Sequence, residues 1–125
     1  MQKLNAKLRN DIKARAFVFS LNIIELCDTL PNKNSVWVIS KQLLRSSMSV
    51  GANIAEAKSA SSRLEFKRYY EIALKSSNES LYWLSLLKMS KLAAADTIKP
   101  FITEVTEISK MLAKSVMTLK EKNKQ

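Results

Sequence analysis

Apolar residues recur along this chain at steps of three and four, in four long segments separated by three short breaks. That period belongs to helices. The first segment runs from about 3 to 30, where Ile12, Ala16, Phe19, Ile23, Leu26 and Leu30 draw one seam. It stops at Pro31-Asn32-Lys33-Asn34, because proline cannot continue a helix and asparagine favours turns. The second, about 36 to 58, starts at Val36 with Asn34 or Ser35 as its expected cap. Val36, Ile39, Leu43, Val50, Ile54 and Ala57 form one face, and Trp37, Leu44, Met48, Gly51 and Ala55 form an adjoining one. So wide an apolar surface predicts packing on two sides, and Gly51 inside the helix predicts a close neighbour there.

The third helix, about 62 to 91, opens on Ser62-Arg63-Leu64-Glu65, a capping box in which serine binds the amide three residues on and glutamate reaches back. Phe66, Tyr70, Ala73, Ser77, Leu84 and Leu87 mark its apolar side, widened by Tyr69, Ile72, Tyr82 and Trp83. The fourth, about 97 to 119, starts near Asp96 or Thr97, tolerates Pro100 in its first turn, and has Ile98, Ile102, Val105, Ile108, Leu112, Val116 and Leu119 on its seam. Such helices, each about 30 to 40 Å long, joined by short connections, predict an all-α, antiparallel up-down-up-down four-helix bundle over residues 1–125.

Composition narrows the chemistry. The 125 residues include one Gly, two Pro, one Cys and no His, which disfavours disorder, an all-β fold, a zinc finger, a His-dependent hydrolase and a disulfide framework. Cys27 reads as a small hydrophobe of the first helix. Neither a secretory leader nor a run of roughly 20 apolar residues is visible, so no membrane contact and a cytoplasmic location are expected.

The formal charge is +10, from 21 Lys and Arg against 11 Asp and Glu. It gathers in three places. An N-terminal arm holds Lys3, Lys7, Arg9, Lys13 and Arg15 against Asp11; the turn before the third helix holds Lys58, Arg63, Lys67 and Arg68; and a tail follows Lys110 and Lys114. The tail suits the macrodipole of its own helix, whereas cations near a helix start oppose theirs. Lys58, Arg63, Lys67, Arg68, Lys13 and Arg15 are therefore the candidate nucleic-acid contacts, directed at phosphate rather than at sequence. Tyr69, Tyr70, Tyr82, Trp37 and Trp83 offer rings for base stacking, but their helical spacing favours packing.

The most distinctive stretch is Gln42-Leu43-Leu44-Arg45-Ser46-Ser47-Met48-Ser49-Val50-Gly51-Ala52-Asn53-Ile54-Ala55-Glu56-Ala57, followed by Ser62, Glu65-Phe66, then Ile72-Ala73 with Ser76 and Glu79. It resembles the four-helix-bundle protein family encoded in intervening sequences of bacterial 23S rRNA genes, whose pattern reads approximately Q-L-x-R-S-x-x-S-[IV]-x-x-N-I-A-E-[GA], S-x-x-E-F and I-A-x-x-S-x-x-E. The resemblance covers roughly Phe17 to Leu119 and departs at Ala57, where many relatives have Gly, and at Lys58. It implies a four-helix bundle and a ring-shaped homopentamer. A related family, the accessory variability proteins of diversity-generating retroelements, implies contact with nucleic acid and a reverse transcriptase.

Arg45, Ser49, Asn53 and Glu56 follow one another by four, four and three residues, lining one strip of the second helix. Arg45 and Glu56 are about three turns apart, so each must find its partner on another helix or another subunit. Such a strip reads as a helix or subunit contact, and Glu65 and Glu79 read as capping and helix-surface pairing. No catalytic residue, metal ligand or cofactor is expected, since the Glu-x-x-His ligands of bundle metal sites are missing. The expected activity is that of a non-enzymatic, oligomeric basic bundle on RNA or DNA backbone; the alternative is a scaffold that docks a protein partner such as a reverse transcriptase.

Overall fold

Two short polar side chains decide where the first and third helices begin. Asp11 accepts a hydrogen bond from the Ala14 amide at 3.1 Å, and Ser62 accepts one from the Glu65 amide at 3.0 Å. The computed structural model describes residues 1–3, 5 and 8–123, with four helices and no strand among them. These are α1 (Ile12–Thr29), α2 (Asn34–Ala57), α3 (Arg63–Met89) and α4 (Ala95–Asn123).

The boundaries correct four expectations. The first helix does not start near residue 3: Asp11 caps it, and the preceding arm folds back so that both amide atoms of buried Asn22 bond the Gln2 backbone, at 2.8 and 2.9 Å. Asn34 and Ser35 lie inside α2, whose cap position is Lys33 with no side-chain bond. Glu65 accepts from the Ser61 hydroxyl at 2.8 Å instead of closing the capping box. Pro100 sits beyond the first turn of α4, because that helix begins at Ala95.

Cross-helix contacts run in opposite directions along each neighbouring pair. Ser46 meets Ser80 and Ser49 meets Ser76 between α2 and α3, while Ser77 meets Ser109 and Phe66 shares a cleft with Leu119 between α3 and α4. Consecutive helices are thus antiparallel, and α1 also packs on α4. Phe19, Ile23, Leu43, Leu84, Leu87, Ile98, Ile108 and Leu112 fill the centre. Burying each stabilises the fold by roughly 1.5 to 3 kcal/mol before chain entropy is counted. Among the described residues, no helix is long and apolar enough to cross a membrane.

Most of the second face of α2 stays out of this core, although Leu44 packs against it. Met48 is 44% exposed and Trp37 is 65% exposed, with the Lys41 amine 4.9 Å from its ring centre. Gly51 faces Ala16, yet an added Cβ would lie 3.7 Å from the nearest atom, so packing inside one chain does not require a glycine. Tyr82 is likewise exposed rather than packed.

The turn after α3 carries the one positive φ among described non-glycine residues, 62° at Lys91. A side chain there costs about 1 kcal/mol relative to glycine. Lys91→Gly is expected to stabilise the fold by about that amount in urea unfolding, with an unchanged m-value.

Candidate functional site

While Lys3 and Arg9 of the arm line another cleft with Asn22 and Pro100, the antiparallel order carries parts of three charge clusters, separate in sequence, to one end of the bundle. The start of α1, the end of α2, the start of α3 and the end of α4 meet there, bringing Lys13, Lys58, Arg63, Lys67, Lys114 and Lys120 together. Lys13 and Lys58 are neighbours, and the proximity of the Lys58 amine holds the Lys13 amine below the usual lysine range. Both side chains are exposed.

The dipole account of this cluster changes in one respect. Lys58 is the C-cap of α2, where a cation suits the helix, so only Arg63, Lys67 and Arg68 oppose the start of α3. Arg68 points to a separate cleft with Glu71, Ile72 and Lys75. Lys7 of the arm and Lys124 of the tail lie outside the described residues.

Arg15 leaves the candidate contact set. Its Nε donates to Glu104 at 3.0 Å, a second nitrogen bonds the other carboxylate oxygen, and a third contacts the Arg9 carbonyl. Only 11% of its side chain is exposed, and the Glu104 bond holds its guanidinium above the ordinary arginine range. Glu104 is 89 residues away in sequence, and its only signal was an acid beside the apolar seam of the fourth helix.

The strip on α2 splits. Arg45 donates to Glu79 of α3 at 2.7 Å and to Gln42 at 3.0 Å, and Glu79 also accepts from Trp83 at 3.0 Å. Glu79 is therefore a cross-helix partner of Arg45 as well as a helix-surface pair with Trp83. Ser49 accepts from Ser76 at 2.9 Å and from Asn53 at 3.0 Å. Glu56 is exposed, and its side chain makes no hydrogen bond or ion pair among the described residues. Arg45 and Ser49 thus join the α2–α3 seam, while Asn53 bonds back to Ser49 within α2 and Glu56 stands outside it.

Two surfaces went unread in the sequence. Between α1 and α2 lies a groove of about 610 Å³, floored by Ala14, Gly51, Ala52 and Ala55 and flanked by Met48 and by Phe17, which is 65% exposed. The second is a pair of clefts beside Phe66, where Lys114 had been grouped with a solvated tail. Cys27 is half-buried, and burial pushes its thiol up, leaving it protonated and unreactive at neutral pH. Among the described residues, no three His, Cys, Asp or Glu side chains lie together as a metal site.

A family model described as 23S rRNA-intervening sequence protein matches residues 9–114. A crystal structure from Bacteroides thetaiotaomicron VPI-5482, described as a protein with unknown function from the S23 ribosomal protein family, aligns with a TM-score of 0.79 at 38% identity. The alignment covers 84% of this chain and 97% of that one. No curated protein matches the chain.

The two arginines separate structural from surface pairing. Arg15→Ala is expected to cost about 2 kcal/mol, leaving a half-buried carboxylate without its donor, and Arg45→Ala about 0.5 kcal/mol, both by urea unfolding.

Proposed function

The chain belongs to the 23S rRNA-intervening sequence protein family, and from that membership we propose a non-enzymatic, oligomeric helical protein of the cytoplasm that grips RNA or DNA backbone with the basic end of its bundle. The observation that carries this reading is the gathering of Lys13, Lys58, Arg63, Lys67 and Lys114 at that end, close to the two clefts beside Phe66. Like charges held together lower stability, and a polyanion relieves the repulsion while releasing its own counterions. Recognition of this kind reads backbone and shape, not sequence. No cofactor takes part.

The oligomer is read from apolar surface that the single chain leaves open. The α1–α2 groove with Phe17 and Met48 lies on one side, and α3 exposes Leu64, Ile72 and Tyr82 on another. Two unlike patches favour a head-to-tail contact, which closes into a ring when the rotation permits. A homopentameric ring would array five basic ends and strengthen the field around each. The same groove supports a second reading, a scaffold that docks an apolar helix of a protein partner such as a reverse transcriptase.

Fluorescence anisotropy with labelled RNA tests the first reading. Affinity is expected to fall about 50-fold between about 50 and about 200 mM salt, as for roughly four phosphate contacts on a single strand. Charge reversal at Lys13, Lys58, Arg63 and Lys67 abolishes binding, whereas reversal of Lys33 and Lys99 at the far end leaves it nearly intact. No binding at low salt overturns the reading. Loss of partner capture with RNA binding unaltered by the reversal favours the scaffold.

Light scattering on a sizing column tests the assembly. Phe17→Glu is expected to convert the oligomer to monomer with helicity retained, and a monomeric native protein would refute a ring.

A further inference from the structure

Two clefts of about 350 and 380 Å³ flank one side chain, Phe66, at the basic end. The first lies toward the α2–α3 turn and is lined by Lys58, Ser62 and Arg63; the second lies toward α4 and is lined by Tyr70, Lys114, Ser115 and Thr118. Phe66 and Leu119 are common to both. The Phe66 and Tyr70 rings stack, with centroids 4.8 Å apart and planes at 23°. No Asp or Glu lines either cleft, although acids occur elsewhere on this end, at Asp11, Glu56 and Glu65.

An aromatic pair between cationic rims is the arrangement that single-stranded nucleic acid asks for. Bases offer faces to aromatic side chains irrespective of sequence, and phosphates need cations at the edges. A duplex keeps its bases stacked on one another and out of reach of a concave apolar floor. Packing alone explains why Phe66 and Tyr70 touch, but it does not call for Lys58, Arg63 and Lys114 around their open edges.

Resting on the backbone-binding reading above, we infer that the Phe66 clefts are a stacking site for single-stranded nucleic acid, one base in each cleft, on the faces that the stacked Phe66–Tyr70 pair leaves open. Lys58 and Arg63 hold phosphate on one side and Lys114 on the other. Tyr70 supports Phe66 and closes the second cleft.

The test compares labelled oligonucleotides of about 15 nucleotides, as ribose and as deoxyribose strands, with a duplex of the same length at about 50 mM salt. The single strand is expected to bind more tightly than the duplex per phosphate. The Phe66→Leu/Tyr70→Leu variant weakens single-strand binding about ten-fold more than duplex binding. Lys114→Glu, on an exposed position, weakens it independently of the aromatic pair. A wild-type measurement guards against loss of folding in the aromatic variant: irradiated 5-bromouracil strands should form adducts at Phe66 or Tyr70. A preference for ribose or deoxyribose strands assigns the source, and either agrees with the site. Equal affinity for duplex and single strand, adducts only elsewhere, or displacement by polyglutamate as readily as by an equal charge of competitor strand overturns the stacking site. Duplex binding that survives with these results leaves the backbone reading standing; loss of all polyanion binding removes both.

Discussion

Helices α2 and α3 approach each other through small polar residues, and every hydroxyl brought into that seam must find a partner there. Ser46 and Ser80 bond at 2.8 Å, Ser76 and Ser49 at 2.9 Å, and Ser77 reaches Ser109 of α4 at 2.7 Å. Sliding one helix by a turn would break these cross-helix bonds, at about 0.5 to 1.5 kcal/mol each, and leave Ser46, Ser77 and Ser80 only the carbonyls of their own helices. Leucine in the same places would hold the helices further apart and accept several registers. The serines select one, and Arg45 with Glu79 closes the outer edge of the same seam. Everything else takes its height from it: the turn with Lys58 and Arg63, the clefts beside Phe66, and the stretch of α4 that brings Lys114 alongside.

Stability and charge are kept apart in this arrangement. The apolar centre and the Arg15–Glu104 pair hold the bundle together, while exposed Lys13 and Lys58 oppose each other at its end. Like charges crowd together where a ligand is proposed, as expected when a protein gives up some stability at its working surface. The apolar groove between α1 and α2 follows the same logic, since it exposes Phe17 and Met48 at positions that a lone chain would fill with polar residues.

The helices were legible in the sequence because their seams repeat over many turns, and Ala16, Phe19, Leu43, Val50, Leu84, Val105 and Leu112 are buried as the spacing implies. Ser62 was legible as a cap because its motif is local. Asp11 was not: the apolar and basic residues before it continue a helical rhythm, and the fold-back onto Asn22 depends on a contact 20 residues away. Periodicity showed that α2 has two apolar faces but cannot say whether the second is covered by the same chain. Charge positions were visible residue by residue; that Lys13, Lys58, Arg63 and Lys114 share one end follows only once the antiparallel order is combined with the length of each helix. Arg15 looked like its neighbours until Glu104 was placed beside it. Phe66 keeps the helical spacing of a seam residue although its ring is only half-buried, and spacing cannot distinguish a core ring from one at the rim.

The two connections at the far end, after α1 and after α3, lie away from the basic surface, whereas α1 begins and α4 finishes beside it. Whatever is joined to the chain after α4 is therefore tethered near Lys58 and Lys114, whereas the arm before α1 carries the first residue back to Asn22 and Glu25, toward the other end. Tethering over so short a span gives an effective concentration in the millimolar range. An acidic segment attached there would act as an intramolecular competitor for the cations, and a basic one would lengthen the track available to a polyanion. Insertions between α1 and α2, or between α3 and α4, would have neither effect, so the two ends of this bundle are unequal places to build.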